Sequence, residues 1–162
     1  MKRALGWLTV ALLLGLAGCG PKEPPAPPVP EKSEAELRRE QYFGEKIAAL
    51  PGVEWRNSGL GIRVITPGEG VAPKPTDVVR VHYTGRLKNG TVFDDTRAKG
   101  QPADFTVNRL ITGWAAAMSS LKPGGKAEFY IPPHLGYGGL RAGNIPPFSG
   151  LIFEVELIAV NP

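Results

Sequence analysis

The feature that most restricts the fold is a period-two alternation of apolar and polar residues. Successive side chains of a β-strand point to opposite faces of a sheet, so this alternation predicts strands with one buried face. It occurs in LGIRVI (60–65), VVRVHYTGRL (78–87), AEFYI (127–131) and LIFEVELIAV (151–160). The pair Asn89-Gly90 predicts a type I′ hairpin turn that leads from the second of these strands into another at about 91–94.

One segment between the predicted strands has a helical character instead. ITGWAAAMSSL (111–121) contains three alanines, which favour a helix, and Thr112 is a candidate cap at its start. Pro123 and the two glycines after it end the helix. A mainly antiparallel sheet with one short helix makes an α+β domain, which we assign to residues 53–162.

A second helix is predicted before this domain, within residues 33–52. Ser33 and Glu36 have the spacing of a capping box, and Pro51-Gly52 ends the segment. Its apolar residues form a weak stripe of Leu37, Phe43, Ile47 and Leu50. Such a stripe needs a partner, which is either the domain that follows or a second copy of the chain.

The first eighteen residues have the pattern of a lipoprotein signal peptide. Lys2 and Arg3 precede an apolar stretch that is too short to span a bilayer comfortably. LAGC (16–19) resembles a bacterial lipobox, which predicts lipidation of Cys19, the single cysteine of the chain. The alternative is an ordinary signal peptide with an incidental cysteine. With Gly20 next in the chain, we expect an anchor in the cell envelope, on the periplasmic face of the outer membrane in a Gram-negative host.

Residues 19–32 are expected to link the anchor to the folded part. PKEPPAPPVP (21–30) contains six prolines in ten residues. Such a run favours the extended polyproline II conformation and makes a semi-rigid spacer about 30 Å long. A ligand for a proline-binding module is the alternative, but a spacer behind a lipid anchor explains the segment better.

Charge and histidine content exclude several classes of function. Without residues 1–18 the chain has 17 basic and 15 acidic groups and no long basic run, so nothing indicates a nucleic-acid partner. His82 and His134 lie 52 residues apart without ligand-spaced partners, so no metal site is predicted. Asp94 and Asp95 are adjacent, and on a strand they would face opposite ways. No pattern typical of a nucleophile is present either.

The remaining candidates for a site are aromatic. They are Tyr83, Phe93, Phe105, Trp114, Tyr137, Phe148 and Phe153. A purely structural core explains most such sets. Two positions favour a cavity instead: Trp114 follows Gly113 at a helix start, and Tyr137 lies in the glycine-rich loop LGYGG.

Four motifs in order resemble one family. VHYTGRLKNGTVFDDT (81–96), GW (113–114), LKPGGKAEFYIPPHLGYG (121–138) and NIPPFSGLIFEVEL (144–157) are similar to signatures of FKBP-type peptidyl-prolyl cis-trans isomerases. The N-terminal part resembles envelope-directed bacterial members, so we expect the lipoprotein form of the family. The resemblance implies an antiparallel half-barrel sheet wrapped around one short helix, with the site between them.

The resemblance also implies the residues of the site. Trp114 would form the floor of an aromatic pocket, and its catalytic set would be Tyr83, Phe93, Asp94, Ile111, Trp114, Tyr137 and Phe153. Ile111 would offer its backbone N–H, and Tyr137 its hydroxyl, to the substrate. Phe105, Leu110 and Ile145 would complete the contacts to the substrate.

The expected activity follows from the family. An isomerase of this type rotates X–Pro bonds without a cofactor or metal, and its substrates here would be proline-containing unfolded polypeptides on export. Macrolides such as rapamycin are possible further ligands. The alternative to an enzyme is a lipid-anchored chaperone or binding module with the same fold and little turnover, and a third interpretation is an unrelated lipoprotein whose aromatics are only core.

Overall fold

The computed structural model of the chain describes residues 31–162. The predicted signal peptide, Cys19 and the proline-rich segment up to residue 30 lie outside the described residues. Lys32–Pro162 forms a single compact unit. Within the described range, no helix combines the length and apolar character that crossing a membrane requires.

A seven-stranded antiparallel sheet carries the fold. Its strands are β1 (Glu54–Trp55), β2 (Gly61–Thr66), β3 (Val78–Leu87), β4 (Val92–Asp95), β5 (Ala103–Thr106), β6 (Lys126–Ile131) and β7 (Leu151–Val160). Their order is β1-β2-β6-β7-β3-β4, and β5 pairs with β3 as well. The ends of the sheet do not meet, so the sheet is an open half-barrel. The predicted α+β fold is confirmed.

A short helix, α3 (Thr112–Met118), packs into the concave face of this sheet. Trp114, Ala117 and Met118 are the apolar residues that it buries in the main core. The helix begins at the proposed cap residue itself, and the N-cap is the preceding residue, Ile111, whose side chain forms no capping hydrogen bond. Thr112 is therefore wrong as the cap, and packing rather than capping stabilises this helix.

The opposite face of the sheet is covered by the N-terminal helices. The single helix expected within residues 33–52 is divided at Gly44 (φ 87°) into α1 (Glu34–Phe43) and α2 (Glu45–Ala48). The Ser33–Glu36 capping box is present. Phe43 packs with Tyr130 and Ile152 from the outer face of β6 and β7, so the segment docks on its own domain.

Two local predictions need correction. The turn after β3 is not type I′, because Asn89 does not have the positive φ which that turn requires at both central positions. Gly90 alone is left-handed (φ 87°), and its N–H donates to the Leu87 carbonyl, which indicates a three-residue loop. Leu37 is also wrong as part of a buried stripe, because it is 52% exposed. Strands β1 and β5 were not predicted: β1 has only two residues, and the alternation of β5 extends over only four residues.

Candidate active site

The ten predicted pocket residues border two adjoining cavities on the concave side of the sheet. The cavities have volumes of about 430 Å³ and about 320 Å³, and Tyr83, Tyr137 and Phe153 line both. The first is also lined by Phe93, Asp94 and Ile145, and the second by Phe105, Leu110, Ile111 and Trp114. The fold therefore brings together residues from β3, β4, β5, β7, α3 and the loop after β6.

Trp114 lies at the base of this region. Its side chain is only 3% exposed, and its ring contacts Tyr83 and Phe153 edge to face, with centroid separations of 5.4 and 5.3 Å. Gly113 allows α3 to pack closely against β6, because a Cβ there would lie 2.4 Å from Cγ2 of Ile131. These contacts hold the indole in place, and the residue borders the cavity of about 320 Å³.

A β-bulge directs Phe93 toward the same region. Gly85 pairs with Asp94 and Arg86 with Val92, so the register shifts around Phe93. The Phe93 ring packs edge to face on Phe153 at 5.5 Å. A Cβ on Gly85 would lie 2.5 Å from the Phe93 ring. Gly85 is thus a site residue that the sequence analysis missed, although a glycine inside an alternating strand is a signal of close packing.

Asp94 is held by two donors. The Tyr83 hydroxyl donates to Oδ2 at 2.5 Å, and Lys99 Nζ donates to Oδ1 at 2.5 Å. Partial burial raises the pKa of Asp94, but the hydrogen bonds from Lys99 and Tyr83 outweigh this effect and lower the pKa below its ordinary value. Burial first, and then the bond to Asp94, raises the pKa of Tyr83. At neutral pH the pair is therefore a carboxylate and a neutral phenol.

The two hydrogen-bond donors implied by the family resemblance remain available at the cavities. Neither the Ile111 N–H nor the Tyr137 hydroxyl donates to another described residue. Ile111 is the N-cap of α3, and Tyr137, which is 39% exposed, lies in the loop after β6. A bound carbonyl oxygen would give either donor a partner.

Some lining residues were not predicted. The cavities are also bordered by Arg109, Ala142, Gly143 and Asn144. Lys99, which donates a hydrogen bond to Asp94, was not predicted either. Nothing in the alternation pattern distinguishes these positions, because they lie in turns and loops. Both histidines have other contacts: His82 bonds to the Thr96 hydroxyl and His134 to the Ser58 carbonyl. Within residues 31–162 no three candidate ligands cluster around a point suited to a metal ion.

Comparisons with known proteins agree with this geometry. Residues 69–158 match the family described as FKBP-type peptidyl-prolyl cis-trans isomerase. The FKBP-type 22 kDa peptidyl-prolyl cis-trans isomerase of Escherichia coli K12 is 43% identical over 96% of this chain and 84% of its own length. The peptidyl-prolyl cis-trans isomerase Mip of Coxiella burnetii is 47% identical over 68% of this chain, which spans about half (49%) of the Mip sequence.

Solved structures show the same fold. The crystal structure of FkpA from Escherichia coli superposes with a TM-score of 0.72 at 40% identity, over 79% of this chain and 60% of that one. A peptidyl-prolyl isomerase from Pseudomonas syringae pv. tomato has a TM-score of 0.67 at 38% identity, over 83% of this chain and all of that one. The fold, the family match and these identities lead to one conclusion: the chain belongs to the enzyme family of FKBP-type peptidyl-prolyl cis-trans isomerases.

Proposed function

We propose that this chain accelerates rotation of X–Pro bonds by binding the proline over Trp114 in the aromatic cavities. The observation that carries the proposal is the convergence of ten side chains from six separate elements on these cavities. The cavity over Trp114 has a mainly apolar lining surface, whereas the one beside Asp94 is more polar. The unused donors of Ile111 and Tyr137 border the same space. This is the arrangement expected of a site that binds an amide without reacting covalently with it.

Solvation and hydrogen bonding give such a site its catalytic effect. The X–Pro bond is planar by resonance, and a barrier of about 18–20 kcal/mol opposes its rotation. The twisted amide at the top of this barrier has lost conjugation and is less dipolar than the planar form. An apolar cavity therefore disfavours the planar ground state relative to the twisted one. Donors that fit the twisted geometry add stabilisation that the ground state lacks.

Asp94 is assigned an orienting role in this mechanism. Its lowered pKa keeps it ionised, so it has no proton to donate at neutral pH. The carboxylate fixes the Tyr83 ring, which borders both cavities and contacts Trp114. We expect Asp94→Asn to retain turnover within about tenfold of wild type, since an amide oxygen still accepts from Tyr83. Abolition of turnover by Asp94→Asn with the fold intact, while Phe93 and Trp114 variants stay active, contradicts the mechanism.

A protease-coupled assay on an Ala-Leu-Pro-Phe peptide tests the activity. Wild type should accelerate isomerisation, and Phe93→Ala should lose at least about tenfold in kcat/KM, because it removes one wall of the cavity. Phe148→Ala is the matched control: Phe148 is 72% exposed and lines neither of the two cavities. Absence of turnover in all three proteins, with peptide binding retained, would instead identify a binding module. Competitive inhibition of the same turnover by rapamycin would identify macrolides as further ligands of the site.

We also propose that the chain works at the cell envelope, anchored by lipid on Cys19. The support is the apolar start of the chain, the lipobox-like LAGC and the proline-rich spacer behind it. Exported polypeptides fold there, and their uncatalysed proline isomerisation takes tens of seconds or longer. Mass spectrometry of the N-terminal peptide should find acylated Cys19. Cys19→Ser should move the protein from the membrane fraction to the soluble fraction, and recovery of both forms in the soluble fraction would contradict the anchor.

A further inference from the structure

Charge at the two cavities is unbalanced. Among the side chains that line them within residues 31–162, Asp94 and Arg109 alone are charged at neutral pH. Asp94 is neutralised by Lys99, with 2.5 Å between Oδ1 and Nζ. Over the same range, Arg109 forms no ion pair with a carboxylate. The uncompensated charge of the site is therefore the guanidinium of Arg109.

The backbone at Arg109 is well anchored, although the side chain is exposed. Arg109 ends a single 3-10 turn, Val107–Arg109, between β5 and α3. The Val107 N–H donates to the Asp77 carbonyl at 3.0 Å, and the Leu110 N–H donates to the Val107 carbonyl at 3.2 Å. The guanidinium is thus attached at a defined place on the cavity wall, two residues before Ile111.

We propose that Arg109 makes the site favour an acidic over a basic residue directly before or directly after the proline of an X–Pro bond. The inference rests on the proposed function, since it assumes that proline binds over Trp114. An extended chain advances about 3.3–3.6 Å per residue, so a side chain next to the bound proline reaches the cavity wall. A carboxylate there meets Arg109, whereas an ammonium group there is repelled by it.

The selectivity should be modest and sensitive to salt. An exposed ion pair contributes little free energy. Because Arg109 attracts the glutamate peptide and repels the lysine peptide, the free-energy difference between the two peptides is about twice that of one such interaction. We expect kcat/KM for a glutamate peptide to exceed that for the matched lysine peptide by about fivefold at low ionic strength. The Debye length falls from about 10 Å at 0.1 M salt to about 3 Å at 1 M, so the ratio should approach one in high salt.

Exchange NMR on short peptides measures this ratio without a protease, whose own specificity would interfere. Two pairs carry Glu or Lys immediately before or immediately after the proline, and a Leu-Pro peptide reports activity independent of charge. The variants are Arg109→Glu, which should invert the Glu-to-Lys ratio, and Lys122→Gln. Lys122 is exposed, lines neither cavity and forms no ion pair within residues 31–162, so its loss should leave the ratio unchanged.

Each outcome has one interpretation. A wild-type ratio near one in both pairs overturns the proposal, and so does a ratio that Arg109→Glu leaves unchanged. Because the ratio is taken within each protein, a general loss of activity in the variant cancels. If wild type fails to turn over the Leu-Pro peptide, the proposed function fails instead. Fluorescence anisotropy with labelled forms of the same peptides then tests the preference in binding alone, with the same expected ratio.

Discussion

Asp94 lies between a phenol and an ammonium group, and these two donors hold its carboxylate in the ionised form. Tyr83 and Lys99 come from different parts of the hairpin region, β3 and the turn after β4. The lowered pKa of Asp94 means that the folded state binds a proton less readily than the unfolded chain does. Stability contributed by this group is therefore present above the unfolded pKa and is lost as pH falls through the folded value.

A pH series on Asp94→Asn tests this linkage. The difference in unfolding free energy between wild type and variant should stay constant from about pH 5 to about pH 9 and shrink below about pH 4. Chemical denaturation at each pH supplies the measurement. A difference that changes near neutral pH would show that Asp94 titrates there, and its role as a fixed acceptor would be wrong.

Gly85 determines how close the two phenyl rings of the site can come. A methyl group on this residue would lie 2.5 Å from Phe93 and 2.8 Å from Phe153. We expect Gly85→Ala to lower stability by about 1–3 kcal/mol and to reduce kcat/KM, since one ring must move into the cavity. Urea unfolding and the peptide assay measure the two effects. Wild-type behaviour in both would show that the rings shift without consequence.

At the scale of elements, α1 stabilises the sheet face that lies opposite the site. Phe43 is 2% exposed and contacts Trp55 and Tyr130 at centroid distances of 5.7 and 5.9 Å. The close packing of α1 on the sheet depends on Gly150, where a Cβ would lie 2.6 Å from the Tyr42 carbonyl oxygen. The helix is thus part of the folded unit rather than an appendage to it.

Two alanine substitutions on α1 separate docking from helix propensity. Phe43→Ala should lower the free energy of unfolding by about 3–5 kcal/mol, because it removes a fully buried ring. Leu37→Ala, on the exposed side of the same helix, should change it by about 0.5 kcal/mol or less. Urea denaturation measures both. Equal effects of the two substitutions would mean that the helix does not dock as described.

On the scale of the whole molecule, one sheet joins two cores. Phe129 and Phe153 belong to the core around α3, while their neighbours Tyr130 and Ile152 belong to the core under α1. Successive residues of β6 and β7 face opposite sides of the sheet, so the same two strands contribute to both cores. Unfolding of one core therefore disturbs the strands on which the other core depends. This coupling predicts a single cooperative unit.

Cooperative unfolding can be followed with one tryptophan in each core. Trp55 reports on the α1 side and Trp114 on the side of the site. In urea, variants that keep Trp55 or Trp114 as the single one of the three tryptophans of the chain should show unfolding transitions with the same midpoint as circular dichroism of the same protein. An earlier transition at Trp55 would show that the N-terminal helices separate before the sheet unfolds.

Much of the fold could be predicted from the sequence, because the patterns that indicate its strands and helices are local. Alternation in 78–87 and 151–160 marks both long strands to the residue, since one face of each is buried over all or most of its length. Ser33 and Glu36 mark the start of α1 in the same way. The predicted type of the turn at Asn89-Gly90 was wrong, because the pairing of the flanking strands decides which residue adopts the left-handed conformation.

Sequence by itself determined five of the seven strands, the family resemblance and the aromatic residues of the site, because each depends on residue type and short-range order. The tertiary structure alone decided that α1 docks on its own sheet, that Gly85 admits two rings and that Lys99 neutralises Asp94. It also left Arg109 as the uncompensated charge at the cavities. These facts depend on distances between segments far apart in the chain, and such distances are set by packing rather than by local pattern.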